Sequence, residues 1–254
     1  MTSAALAAGH INTPEHLRQV FREQDIALGI VMGNDDTPRT PTEAAPPLVF
    51  CAGVRSGRLA PETRSGELER LETLLRSPRC VGVKIYLGYD YRYPADECFL
   101  PVYELAGACG KAVVFHTGDT AGTHGKVKYA HPLNADEVAV EFPNTRFVLA
   151  HIGNPWIADA VEVAAKNANV ALDLSGLAVG NFDPDALYRE CEAYWRHLRM
   201  WLEYLGDPAK IMYGSDWPLV NIPAYIRLLS RIVPEKFHPG FFSDTARRIF
   251  RLAK

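Results

Sequence analysis

No C-x-x-C pair occurs in the 254 residues, and the five cysteines, Cys51, Cys80, Cys98, Cys109 and Cys191, are odd in number and widely scattered. That argues against a disulfide framework or a zinc knuckle and reads as reduced thiols in a cytoplasmic protein. The net charge is only −3, so no basic excess points to nucleic acid or a membrane surface. No apolar run approaches the roughly 18 residues of a membrane helix. The opening "MTSAALAAGH" lacks a basic n-region and is too short in apolar residues for a signal peptide. "GDTAGTHGK" fails the phosphate-loop register, because Thr120 stands where glycine is needed and Val127 follows Lys126. No linker or composition break divides the chain, so one domain over residues 1–254 is expected, with 48% hydrophobic residues to build its core.

What is present is a march of short apolar runs. Segments 26–33, 48–54, 80–88, 111–118, 146–153, 169–176 and 210–218 all read as buried strands. Helix signals lie between them. Thr13 can cap a helix opened by Pro14, with Leu17, Val20 and Phe21 on one face. Asn134 and Glu137 form a capping-box pattern, and Asn154-Pro155 starts another helix. Asp183-Pro184 opens a long one that Gly206 closes, and Ser243 starts a last short one. Parallel βαβ units follow from this alternation. A doubly wound sheet and a (β/α)8 barrel both fit it, and about 250 residues is the barrel's typical length.

Polar residues at the strand ends favour the barrel. His116 ends "AVVFH", His151 ends "FVLAH" and Asp216 follows "IMYG". In a barrel all C-terminal strand ends converge on one mouth. Two imidazoles and a carboxylate there suit a divalent cation such as zinc, with manganese or iron as alternatives. Taken singly, each histidine also fits a hydrogen-bonded structural role, and Asp216 fits the cap of a short turn.

"VFHTGDT", "VLAHIGNPW", "MYGSDWP" and the closing "FFSDTARRIF" resemble the amidohydrolase superfamily, in its amidohydrolase-related branch of metal-dependent TIM-barrel hydrolases and decarboxylases. The resemblance runs from residue 12 onward. It implies that His116 is a metal ligand and that His151 is a ligand or a group polarising substrate. Asp216, by the same resemblance, binds metal and shuttles a proton, so that metal-bound water becomes the nucleophile. One family element is missing: the first strand with its H-x-H pair. Residues 1–12 are short and alanine-rich, and His10 has no histidine two residues away. Either the gene start lies further upstream or the first strand has been lost. An α/β, TIM-barrel-like fold with its first strand missing or degenerate is therefore expected, with partial or no metal occupancy.

Lys84 reads either as a contact for a substrate carboxylate or phosphate or as half of a salt bridge inside the barrel. Tyr86 is placed two residues on and on the same face, lining the same pocket. His124 and His131 lie in the long loop after "AVVFH", as part of a substrate lid or as solvated residues. Trp195 and Trp201 read as core or interface aromatics, and His16, His197 and His238 receive no role. The expected function is a metal-dependent hydrolase of an ester, lactone or amide of a small, carboxylated metabolite. A non-oxidative decarboxylase of an aromatic or unsaturated acid fits the same scaffold, and a metal-free barrel remnant with a binding role is the non-enzymatic alternative. Exposed strand edges would invite a second copy of the chain.

Overall fold

The computed structural model describes residues 3–11, 13–33 and 47–252. Seven strands form one sheet: β1 (Gly29–Met32), β2 (Leu48–Val54), β3 (Cys80–Ile85), β4 (Ala112–His116), β5 (Arg146–Ala150), β6 (Val170–Asp173) and β7 (Ile211–Met212). They pair in sequence order and all in parallel. The sheet curls into a TIM-barrel-like wall whose edges are β1 and β7, and among the described residues no eighth strand joins them. Residues 3–10, where that strand would begin, instead form the short helix α1 (Ser3–Ala7) and a turn. That turn docks on the loops beyond β6 and β7, where Asn181 N donates to Ala7 O at 3.1 Å and His10 Nε2 meets Val220 O at 2.6 Å.

The sheet has two buried faces. Val83, Phe115, Phe147 and Leu172 face the helices, while Cys51, Val114, Val148 and Ala171 face inward with Ile249 and Phe250 from the C-terminal helix. Full burial of a Val, Leu, Ile or Phe side chain stabilises by about 1.5–3 kcal/mol. Tyr103, fully buried, packs edge-on against Phe115 and Phe147 at 5.8 and 5.5 Å, with its hydroxyl donating to Pro94 O at 2.8 Å. No helix among the described residues is long and apolar enough to cross a membrane.

Helix ends follow the expected chemistry in part. Thr13 caps α2 (Pro14–Glu23), accepting from His16 N at 3.2 Å. Between β2 and β4 lie α3 (Arg64–Leu75), α4 (Leu87–Asp90) and α5 (Leu100–Ala108). The capping box at Asn134 does not form, although α6 (Asn134–Glu141) does: Asn134 Nδ2 donates back to Lys128 O at 2.8 Å. The helix expected from Asn154-Pro155 begins later, as α7 (Ile157–Lys166), because His151–Gly153 first make a short 3-10 turn. Asp183 Oδ1 caps as anticipated, accepting from Asp185 N and Ala186 N at 2.8 Å each. The long helix it opens is broken at Cys191 into α8 (Pro184–Glu190) and α9 (Glu192–Leu205), which Gly206 ends at φ 66°. After α10 (Ile222–Ile232), the last helix, α11 (Thr245–Phe250), follows a single π-type turn over Gly240–Asp244, so Ser243 precedes it.

Candidate active site

Three strands send an inward residue to the C-terminal mouth through plain alternation or a shift in it. On β4, Ala112 and Val114 face inward, so His116 two residues later does too. On β6, Ala171 faces inward and Asp173 repeats it at the strand's end. On β3 the phase changes. Phe50 pairs with Cys80 but Cys51 pairs with Gly82, leaving Val81 as a bulge. Val81 and Gly82 thus both approach the inner face, and Lys84 follows Gly82 inside. Without the bulge, Lys84 would point at the helices.

His151 and Asp216 arrive by another device. Ala150 is the last residue of β5 and faces inward, so a continued strand would aim His151 outward. Instead His151 adopts φ 61°, and Asp216 beyond β7 adopts φ 62°. A left-handed backbone costs a non-glycine residue about 1–2 kcal/mol, and such positions cluster at functional sites. The result is convergence. The His116 and His151 rings lie edge to face with centroids 4.8 Å apart. A Cβ built on Gly176 (φ 67°) would sit 2.9 Å from Asp216 Oδ2 and 3.0 Å from His151 Nδ1, so a side chain there would strain the backbone and push these two groups apart.

The strand of Lys84 ends at Ile85, so Tyr86 begins the next turn rather than sharing the strand face, and its ring centroid is 5.2 Å from Lys84 Nζ. Tyr86 and Tyr89 both pack on His116, with centroids at 5.7 and 5.3 Å. Lys84 is 3% exposed and makes no hydrogen bond or ion pair among the described residues. Burial lowers its pKa, opposed by Asp173 and less strongly by Cys51 and Asp216.

His124 and His131 stand apart from this group. The carbonyl of His124 accepts from Tyr91 Oη, and His131 packs on Trp156 at 4.8 Å with Nε2 3.5 Å from Asp159. Asp173, Ser175 and Tyr89 are site residues that the sequence reading passed over. Asp173 had the same signal as His116, a polar residue closing an apolar strand. Its Oδ1 accepts from Ser175 N at 2.9 Å and Ser175 Oγ at 2.5 Å, with His151 N at 3.3 Å.

Burial, then the Lys84 ammonium and His151, pull the His116 pKa down to about 2, so this imidazole is uncharged. Unfolded, it titrates near about 6.5. Between these values the unfolded chain binds a proton that the folded chain does not. Stability is therefore full above about pH 6.5 and falls on acidification, by about 1.4 kcal/mol per pH unit for this one group. Denaturant titrations at pH 6.5 and 4.5 should differ by about 2–3 kcal/mol more in the natural chain than in His116→Asn. Equal differences would show that the folded imidazole titrates normally.

The metal chemistry finds only part of its donor set. His116 Nδ1 is buried without a partner, as a waiting ligand would be. His151 Nδ1 is taken by Ser175 O and Oγ at 3.0 and 2.9 Å, so this ring could offer an ion only its Nε2. Among the described residues no three His, Cys, Asp or Glu side chains are close enough to share an ion. These donors do not fit the three-ligand cage that a catalytic divalent ion normally requires.

Comparison with known proteins gives the lineage. No curated protein matches this chain. Among solved structures, an amidohydrolase from Burkholderia multivorans with bound zinc is 18% identical, with 99% of this chain and 93% of that one covered at a TM-score of 0.68. The 5-carboxyvanillate decarboxylase of Sphingomonas paucimobilis is 19% identical, covering 100% and 78% at 0.57. The 5-carboxyvanillate decarboxylase of Novosphingobium aromaticivorans, complexed with manganese and a nitrobenzoic acid, is 14% identical, covering 81% and 65% at 0.58. At these identities the likeness is one of fold. The amidohydrolase family description (Amidohydro_2) matches residues 13–252, nearly the whole length, and the chain belongs to that family.

Proposed function

We propose that this chain hydrolyses an ester, lactone or amide of a small carboxylate-bearing molecule. The observation that carries the reading is the Lys84 ammonium, buried at the mouth with no anionic partner within ion-pair distance among the described residues. Leaving such a charge uncompensated is costly, and a substrate carboxylate would compensate it. Tyr86, beside it, forms the wall of the same subsite. His151 then takes a proton from water at Nε2, the water oxygen bonds to the acyl carbon and the bond to the leaving group breaks. The proton passes to the leaving atom, with Asp216 as its carrier across Gly176. His116 stays uncharged beside them. Zinc, or manganese or iron, is the cofactor the family suggests for activating that water, but the described donors do not fit it, and none of these steps uses it.

A second reading, non-oxidative decarboxylation, is favoured by one feature: the rings of Tyr86, Tyr89 and His116 stand 5.3–6.3 Å apart around the site, the lining an aromatic acid would find. Turnover of carboxylate-bearing esters, lactones and aromatic acids in ¹⁸O-water separates the two. Hydrolysis places one label in the product acid, whereas carbon dioxide release without label in the remaining product assigns decarboxylation. Turnover of neither class by a folded chain leaves the binding remnant. Elemental analysis of the same sample should find clearly less than one zinc, manganese or iron per chain. A full, chelator-resistant equivalent would return the water-activating step to a metal.

A further inference from the structure

We infer that Ser175, backed by Asp173, is a positioning residue that fixes the proton of His151 on Nδ1 and leaves Nε2 bare toward the mouth. The argument is one of hydrogen-bond capacity. His151 Nδ1 faces two oxygens, Ser175 O at 3.0 Å and Ser175 Oγ at 2.9 Å. A carbonyl oxygen only accepts. The Ser175 hydroxyl has a single proton, and it is spent on Asp173 Oδ1 at 2.5 Å. Both oxygens therefore present lone pairs to Nδ1, and an unprotonated Nδ1 would face two acceptors. The proton must sit on Nδ1, shared between them, and the neutral ring then carries its lone pair on Nε2.

The surroundings hold this arrangement in place. Asp173 Oδ1 also accepts from Ser175 N at 2.9 Å, which locks the hydroxyl's acceptor to the same residue that supplies it. Ser175 is 6% exposed and Asp173 likewise, so water does not compete for either group. Gly214 makes room: a Cβ there would stand 2.8 Å from Ser175 Cβ and 3.2 Å from Asp173 Oδ1. Neither Asp173 nor Ser175 needs to touch substrate for this, because both act through the His151 ring.

The effect on turnover rests on the reading of His151 as the base, but the tautomer itself does not. The test is nitrogen-15 NMR of the histidine rings in the full chain, with His151 assigned by the signals lost in His151→Asn. In the natural chain the His151 Nδ1 shift should fall in the protonated range and Nε2 in the unprotonated range. The reverse pattern would overturn the inference without any variant. In Ser175→Ala the carbonyl of residue 175 is left as the single acceptor, so the Nδ1-protonated share should fall and both ring shifts should move toward the averaged range. Its kcat should fall about tenfold with little change in KM, as for loss of a group that orients a base. Unchanged shifts in a folded Ser175→Ala chain would remove the hydroxyl from the role. An Nδ1-protonated ring in the natural chain, together with full turnover in His151→Asn, would keep the tautomer and reject the base.

Discussion

His151→Asn is expected to lower kcat by about 10²- to 10⁴-fold, the range for loss of a general acid–base group, while KM changes little. Asparagine is the informative replacement because His151 holds φ 61°, a conformation that asparagine tolerates better than most side chains. The turn into the short 3-10 segment should therefore survive, and thermal unfolding should stay close to that of the natural chain. The variant keeps the hydrogen bond from residue 151 N to Asp173, which comes from the backbone. A folded variant with natural turnover would remove His151 from the chemistry. A variant that loses affinity but not kcat would make His151 a binding group.

Lys84→Met is expected to act in opposite directions on activity and stability. Removing one member of a buried charge pair costs about 2–5 kcal/mol of binding, so kcat/KM for a carboxylate substrate should fall by about 30- to 5,000-fold. The neutral amide or ester of the same molecule, which never formed the pair, should lose far less. Without substrate, the ammonium is 3% exposed and unpaired among the described residues, and burial already lowers its pKa. Methionine fills a similar volume with no charge to desolvate, so unfolding should require about 1–4 kcal/mol more free energy. A variant that loses stability instead would mean that Lys84 is a structural ion, contrary to its assignment as the carboxylate contact. Equal losses for charged and neutral substrates would separate it from the carboxylate while leaving hydrolysis intact.

The apolar runs and their spacing were enough to determine the alternation of strands and helices. Segment 48–54 is β2 to the residue, and His116 closes β4 as its sequence position implied. Local capping was legible where a side chain had no competing partner, as at Thr13 and Asp183, and misleading where one existed. Asn134 had such a partner in the Lys128 carbonyl and left its helix uncapped. The family's motifs were equally legible, because they sit at strand ends where few residue types serve.

Which of those residues face one another was decided by the tertiary structure, because a side chain's direction depends on phase and phase can slip. Lys84 is inside because β2 and β3 pair with a bulge at Val81, which nothing in "CVGVKIYLG" announces. By simple alternation His151 would face the helices, and a left-handed turn brings it back to the mouth. Tyr86 leaves the strand yet still reaches Lys84. Asp173 and Ser175 acquire their place only when β6 lies beside β5, since their bonds to His151 span 22 and 24 residues. The sequence determines the strands, their order and the residue types at the mouth, because burial and backbone propensity act locally. Register, bulges and left-handed turns determine the site, because they are settled by pairing and packing between distant segments.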